Sequence, residues 1–111
     1  MALKQLGAAD VDGSINLINT PILVYTVPGG AQALMSNISI CNRNATVATG
    51  VWLWVVANGG SPVGKNAILP GIDLAAKGTI QDSGQTLEAG GKVYFQSHVT
   101  NVNCVISGDE K

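Results

Sequence analysis

The segment Val47-Ala48-Thr49-Gly50-Val51-Trp52-Leu53-Trp54-Val55-Val56-Ala57-Asn58-Gly59-Gly60 reads as a strand running into a turn. Its centre is built from valine, tryptophan and leucine, side chains that suit a pleated surface better than a helix. Asn58-Gly59-Gly60 then supplies the turn chemistry that reverses the chain. Because side chains alternate across a strand, Val51, Leu53 and Val55 share one face, and Trp52, Trp54 and Val56 share the other. The strand is therefore apolar on both sides. A membrane span needs about 18 or more consecutive apolar residues, and the run Val51–Ala57 is far shorter.

Outward from this strand the same rhythm repeats. Pro28-Gly29-Gly30, Asn42-Arg43-Asn44 and Ala89-Gly90-Gly91 are further turn words. Strands are expected at about Lys4–Ala8, Ile22–Val27, Ala31–Asn42, Val47–Ala57, Ala67–Leu69, Gly78–Gln81, Gln85–Glu88, Lys92–His98 and Asn101–Ser107. Asp10 to Asn19 reads as a loop or irregular edge segment. Leu34, Ser36, Ile38 and Ile40 are expected on one core-facing side, joined by Val93 with Phe95 and by Val102, Cys104 and Ile106. Fourteen glycines and many β-branched residues break every window in which a helix might run. The expectation is an all-β fold in one domain: an antiparallel β-sandwich or barrel of jelly-roll or immunoglobulin-like type. Residues 1–20 are expected to form an N-terminal arm or edge strand with a loop, and residues 21–111 the sandwich.

Charge is the second informative feature. Charged residues make up 12% of the 111-residue chain and hydrophobic residues 46%, whereas about 25% of an ordinary soluble domain is charged. No position from Gly13 to Asn42 carries a charge. Since charge keeps small domains dispersed, a surface this neutral implies cover by partners. The outward residues Trp52, Trp54 and Val56, with Tyr94 and Val105 on later strands, are the candidate subunit interface, because aromatic side chains concentrate where contacts carry energy. The alternative is that a loop of the same chain covers them. A net charge of −1, with six basic residues scattered along the chain, gives no footprint for nucleic acid. The start of the chain lacks the basic and apolar regions of a secretory signal, so synthesis and assembly in the cytosol are expected.

No catalytic constellation is expected. Gly59-Gly60-Ser61-Pro62-Val63-Gly64-Lys65-Asn66 nearly spells a phosphate-binding loop, but Asn66 stands where a hydroxyl residue would hold magnesium, and Pro70-Gly71 follows where a helix is required. A hairpin loop explains the glycines. His98, the sole histidine, has no second histidine or nearby carboxylate in sequence to orient it. Asp10 and Asp12 are a weak cation pair better read as a solvated loop, and none of the carboxylates has an evident partner. Cys41 and Cys104 fall on opposite faces, which argues against a bridge between them. No metal and no other cofactor is expected.

The run Leu23-Val24-Tyr25-Thr26-Val27-Pro28-Gly29-Gly30, followed by Ala33 to Ile40 and then Cys41-Asn42-Arg43, resembles a pattern of small virion proteins of tailed bacteriophages. Thr86-Leu87-Glu88-Ala89-Gly90-Gly91-Lys92-Val93 is similar to that family's turn into a late strand, with Gly91 where an aspartate is common. Val105-Ile106-Ser107-Gly108-Asp109-Glu110 resembles its closing Ser-Gly-x-Glu motif. The resemblance implies a non-enzymatic structural role in the virion. Foremost is a capsid decoration, or cement, subunit, commonly a homotrimer seated on the major capsid protein; a neck, tail or baseplate component is the alternative. The motifs also have a plain physical reading: Pro28 presets the turn, and Asn42 is suited to bonding backbone at the end of its strand. Outside this family, a carbohydrate-binding sandwich using the exposed aromatics is the competing class.

Overall fold

A computed structural model describes residues 4–11 and 18–111. Among the described residues nine strands follow one another: β1 Lys4–Val11, β2 Ile22–Thr26, β3 Gln32–Asn42, β4 Ala48–Val56, β5 Ala67–Leu74, β6 Thr79–Asp82, β7 Gln85–Glu88, β8 Lys92–Gln96 and β9 Val102–Glu110. The only helical element among the described residues is a 3-10 turn at Gly64–Asn66. Two antiparallel sheets pack face to face. The first has the order β1-β9-β3-β6, with β7 also on β3, and the second has the order β2-β8-β4-β5.

The pairing distinguishes between the expected sandwich types. β6 and β7 lie end to end beside β3, opposite Ile38–Cys41 and Gln32–Met35 respectively, and count as one strand position. The chain is then one long folded hairpin in nested pairs: β1 with β9, β2 with β8, β3 with β6 and β7, and β4 with β5. Rolling that hairpin up adds the pairs β3 with β9 and β4 with β8. This is the jelly roll, not the immunoglobulin arrangement.

The core lies between the sheets. Phe95, Met35, Ile38, Ile40, Leu53 and Ile106 are its largest fully buried side chains, with Val51, Val93, Val102 and Cys104 filling in around them. The alternation expected in β8 and β9 is present. That expected in β3 is not: Leu34 is 42% exposed, whereas Ala33 and Met35 are buried. The register against β9 jumps between Met35 and Asn37, leaving Ser36 as a bulge residue whose hydroxyl donates to the Ser107 carbonyl at 3.1 Å. One extra residue reverses the parity of everything before it. Ala33 and Met35 thus join Ile38 and Ile40 on the core side, and Leu34 turns outward.

The edge strand expected at about Lys4–Ala8 is present and runs on to Val11: Lys4–Val11 is an eight-residue strand at the edge of the first sheet, ending in fully buried Val11. Asp10 therefore belongs to a strand. Asp12 and the rest of residues 12–17 lie outside the described residues, as do residues 1–3.

One pole of the sandwich is closed by Asn42, which is fully buried. Its amide nitrogen lies 2.9, 3.2 and 3.1 Å from the carbonyl oxygens of Thr46, Leu74 and Ala75, and its oxygen accepts from the backbone and side-chain nitrogens of Asn44. Asn44 in turn donates to the Thr100 carbonyl. The end of β3 in the first sheet is thereby bonded to the end of β5 in the second, as expected of an asparagine at this turn.

Candidate functional site: the outer face of the second sheet

β4 and β8 are the central strands of the second sheet, so the apolar outer side of β4 sits mid-face. The register sets two rows across the sheet. One runs Leu23, Tyr94, Trp54, Ala67, and the other runs Gln96, Trp52, Pro70. Neither row contains a charge. Trp52 and Trp54, two residues apart on one strand and hence on one side, lean together with ring centroids 5.2 Å apart and planes 9° from parallel. Stacking of this kind adds to what area burial alone contributes.

The structure divides the five sequence-predicted interface residues. Val56 is fully buried because the turn after β4 folds back over it: a Cβ built on Gly60 would lie 2.6 Å from its Cγ1. Trp54 is 5% exposed, held beneath Trp52, and its indole nitrogen is shielded from water with no hydrogen-bond partner among the described residues. Trp52 and Tyr94 remain half-buried and open to one side. Val105 is not part of this face. It lies on the outer side of the first sheet, between Ala8 and Ser39. Of the two expected covers, the chain's own turn closes Val56, while Trp52 and Tyr94 stay accessible.

Sequence reasoning missed Leu23, which is 48% exposed beside Tyr94. A bulge between Leu23 and Tyr25 puts both Val24 and Tyr25 into the core, so simple alternation gives no stable parity for this strand. The open surface is therefore Leu23, Tyr94 and Trp52.

Gly71 shapes the rim. Its φ of +71° is a conformation that L side chains rarely adopt, and a Cβ there would meet the Trp52 indole at 3.0 Å. With Pro70 it makes β5 an edge strand whose register to β4 shifts three times. β2, at the opposite edge, has five residues and is flanked by Pro21 and Pro28. Proline, bulges and shortness all blunt an edge against adding another strand. What the second sheet offers a partner is its face.

Elsewhere the structure places the remaining sequence candidates. Residues 57–66 link β4 to β5 as a hairpin connection, and Asn66 donates to the Ser61 carbonyl at 2.9 Å before the chain enters a strand. His98 is exposed, with Nδ1 2.8 Å from Asn19 Oδ1. Cys41 and Cys104 are both free thiols, and burial pushes Cys104 up to about 12. Three carboxylates have partners that sequence alone did not reveal: Asp10 pairs with Arg43, Asp82 accepts from Gln85, and Glu110 takes both Tyr25 and Lys4. Among the described residues no group of three or more His, Cys, Asp or Glu side chains is placed to hold a metal ion, and no helix there is long and apolar enough to cross a membrane.

No family model matches this chain, and no match is found among curated proteins or solved structures.

Proposed function

We propose that the protein is a non-enzymatic structural subunit of a tailed-phage particle, foremost a capsid decoration protein that self-associates, as a trimer, and seats on the capsid surface. The observation that carries this reading is the middle of the outer face of the second sheet, two charge-free rows with Lys92 at their margin, where exposed Leu23 flanks half-buried Tyr94 and Trp52 between two blunted edges. Apolar, aromatic surface at the centre of a face is where subunit contacts concentrate their energy. The low charge of the whole chain and the resemblance of its turn motifs to small phage virion proteins point the same way. Jelly rolls recur in viral capsid proteins, which is support by fold analogy alone.

Neck, tail or baseplate placement is the second virion reading, since it asks for the same kind of surface. Purified particles of the phage encoding the chain, separated into heads and tails and probed with an antibody to the chain, distinguish the two. Signal on heads supports decoration, signal on tails supports the second reading, and signal on neither overturns both. Jelly rolls also recur in lectins, and Trp52 with Tyr94 resembles a sugar-stacking platform. One face of the Trp52 ring is already taken by Trp54, which leaves that platform narrow. Quenching of tryptophan fluorescence by a sugar panel would move carbohydrate binding ahead.

A further inference from the structure

The outer face of the first sheet carries a groove of about 490 Å³ over the start of β3, β7 and the end of β9. Gln32, Leu34, Thr86, Glu88, Asp109 and Lys111 line it. Register explains the grouping: Asp109 and Thr86 flank Leu34, while Glu88 lies beside Gln32, whose backbone exchanges two 2.9 Å hydrogen bonds with Lys111. Asp109 is only 6% exposed, and its Oδ2 is shielded from water with no hydrogen-bond partner among the described residues. A carboxylate oxygen withdrawn from water without a donor is expensive, so the site is incomplete as it stands. Two acids against one base leave the groove one negative charge in excess.

We infer that this groove receives a lysine ammonium from a second copy of the chain, and that the lysine is Lys65. Four of the six basic side chains have partners of their own: Lys4 on Glu110, Arg43 on Asp10, Lys77 on the Arg43 carbonyl and Lys92 on the Gly90 carbonyl. Lys111 already lines the groove. Lys65 is exposed on the connection between β4 and β5, with no hydrogen bond or ion pair among the described residues. The unmatched ammonium and the unmatched carboxylate lie on different surfaces of one chain. Joining them between copies makes a head-to-tail contact, the kind that closes into a ring. Leu34 beside Asp109 supplies apolar area that would shield the pair. The inference rests on the self-association proposed above and assigns it a second contact.

The test is the concentration dependence of mass, by light scattering, for the wild type, Lys65→Ala, Asp109→Asn, the double variant and Leu23→Glu. Either single change at the pair should weaken association at least about tenfold, with the double variant no weaker than the weaker single. Lys65 is exposed, so its variant folds even if Asp109→Asn does not. Wild-type association that Leu23→Glu disrupts and Lys65→Ala leaves unchanged overturns this contact while sparing the aromatic face. A wild type that stays monomeric throughout overturns both. Lys111→Ala melting as much earlier as Asp109→Asn, with association untouched in each, also overturns the contact, because Lys111 would then be the carboxylate's own partner.

Discussion

The Tyr25 hydroxyl donates to Glu110 Oε1 at 2.6 Å, joining the first strand of the second sheet to the last strand of the first. Burial and the neighbouring carboxylate raise the tyrosine above its ordinary value. The same hydrogen bond, with Lys4 adding to it, lowers the glutamate below the usual carboxylate range.

The signs of these shifts set where the clasp acts. A lowered carboxylate stabilises the fold above its unfolded value of about 4.3 and loses that contribution as pH falls; a raised tyrosine stabilises below about pH 10 and loses it as pH rises. Glu110→Gln should therefore flatten the acid limb of a stability-against-pH curve. Tyr25→Phe should flatten the alkaline limb as well. Denaturant midpoints measured from about pH 3 to 11 check both. An acid limb of unchanged slope in Glu110→Gln would contradict the assignment.

Asn42→Ala should be among the most destabilising single changes. It orphans backbone carbonyls at the buried pole and cuts the link from β3 to β5. A loss of about 3 kcal/mol is expected from several buried hydrogen bonds removed together. Urea unfolding of the variant reads it directly, and a loss under about 1 kcal/mol would mean that water replaces the network.

Gly71→Ala should disturb the aromatic face without touching the core. The added methyl meets the Trp52 indole, and its left-handed backbone costs about 1–2 kcal/mol. A shifted tryptophan emission maximum, alongside that loss of stability, is the expected outcome.

The two thiols should separate cleanly. Cys104 is buried, with its ionisation pushed up to about 12, whereas Cys41 is partly exposed. A thiol reagent at neutral pH should modify one cysteine in the folded protein and both in denaturant. Rapid modification of both without denaturant would show that the core opens readily.

The nine strands among the described residues were legible in the sequence, since alternating apolar residues and glycine- and asparagine-rich turns mark them locally. Bulges were not. Ser36 and the irregularity after Leu23 each reverse a strand's parity through backbone pairing that residue type does not announce. That is why Leu34 was expected inside and Leu23 was passed over. The aromatic pair on β4 was legible as outward-facing, but the cover over Val56 depends on how a glycine turn folds back. Val105 stood in the right alternation on the wrong sheet, because alternation gives a face and not a layer. Asp109 looked like part of a closing turn word, and only the β3–β9 register brings it beside Leu34.

Light scattering of the purified wild type beside Leu23→Glu reads out the proposed association through the outer face of the second sheet. A trimer that holds on dilution is expected for the wild type, and a folded monomer for the variant. A wild type that is monomeric at every concentration, or a variant that assembles as well as its parent, would contradict it.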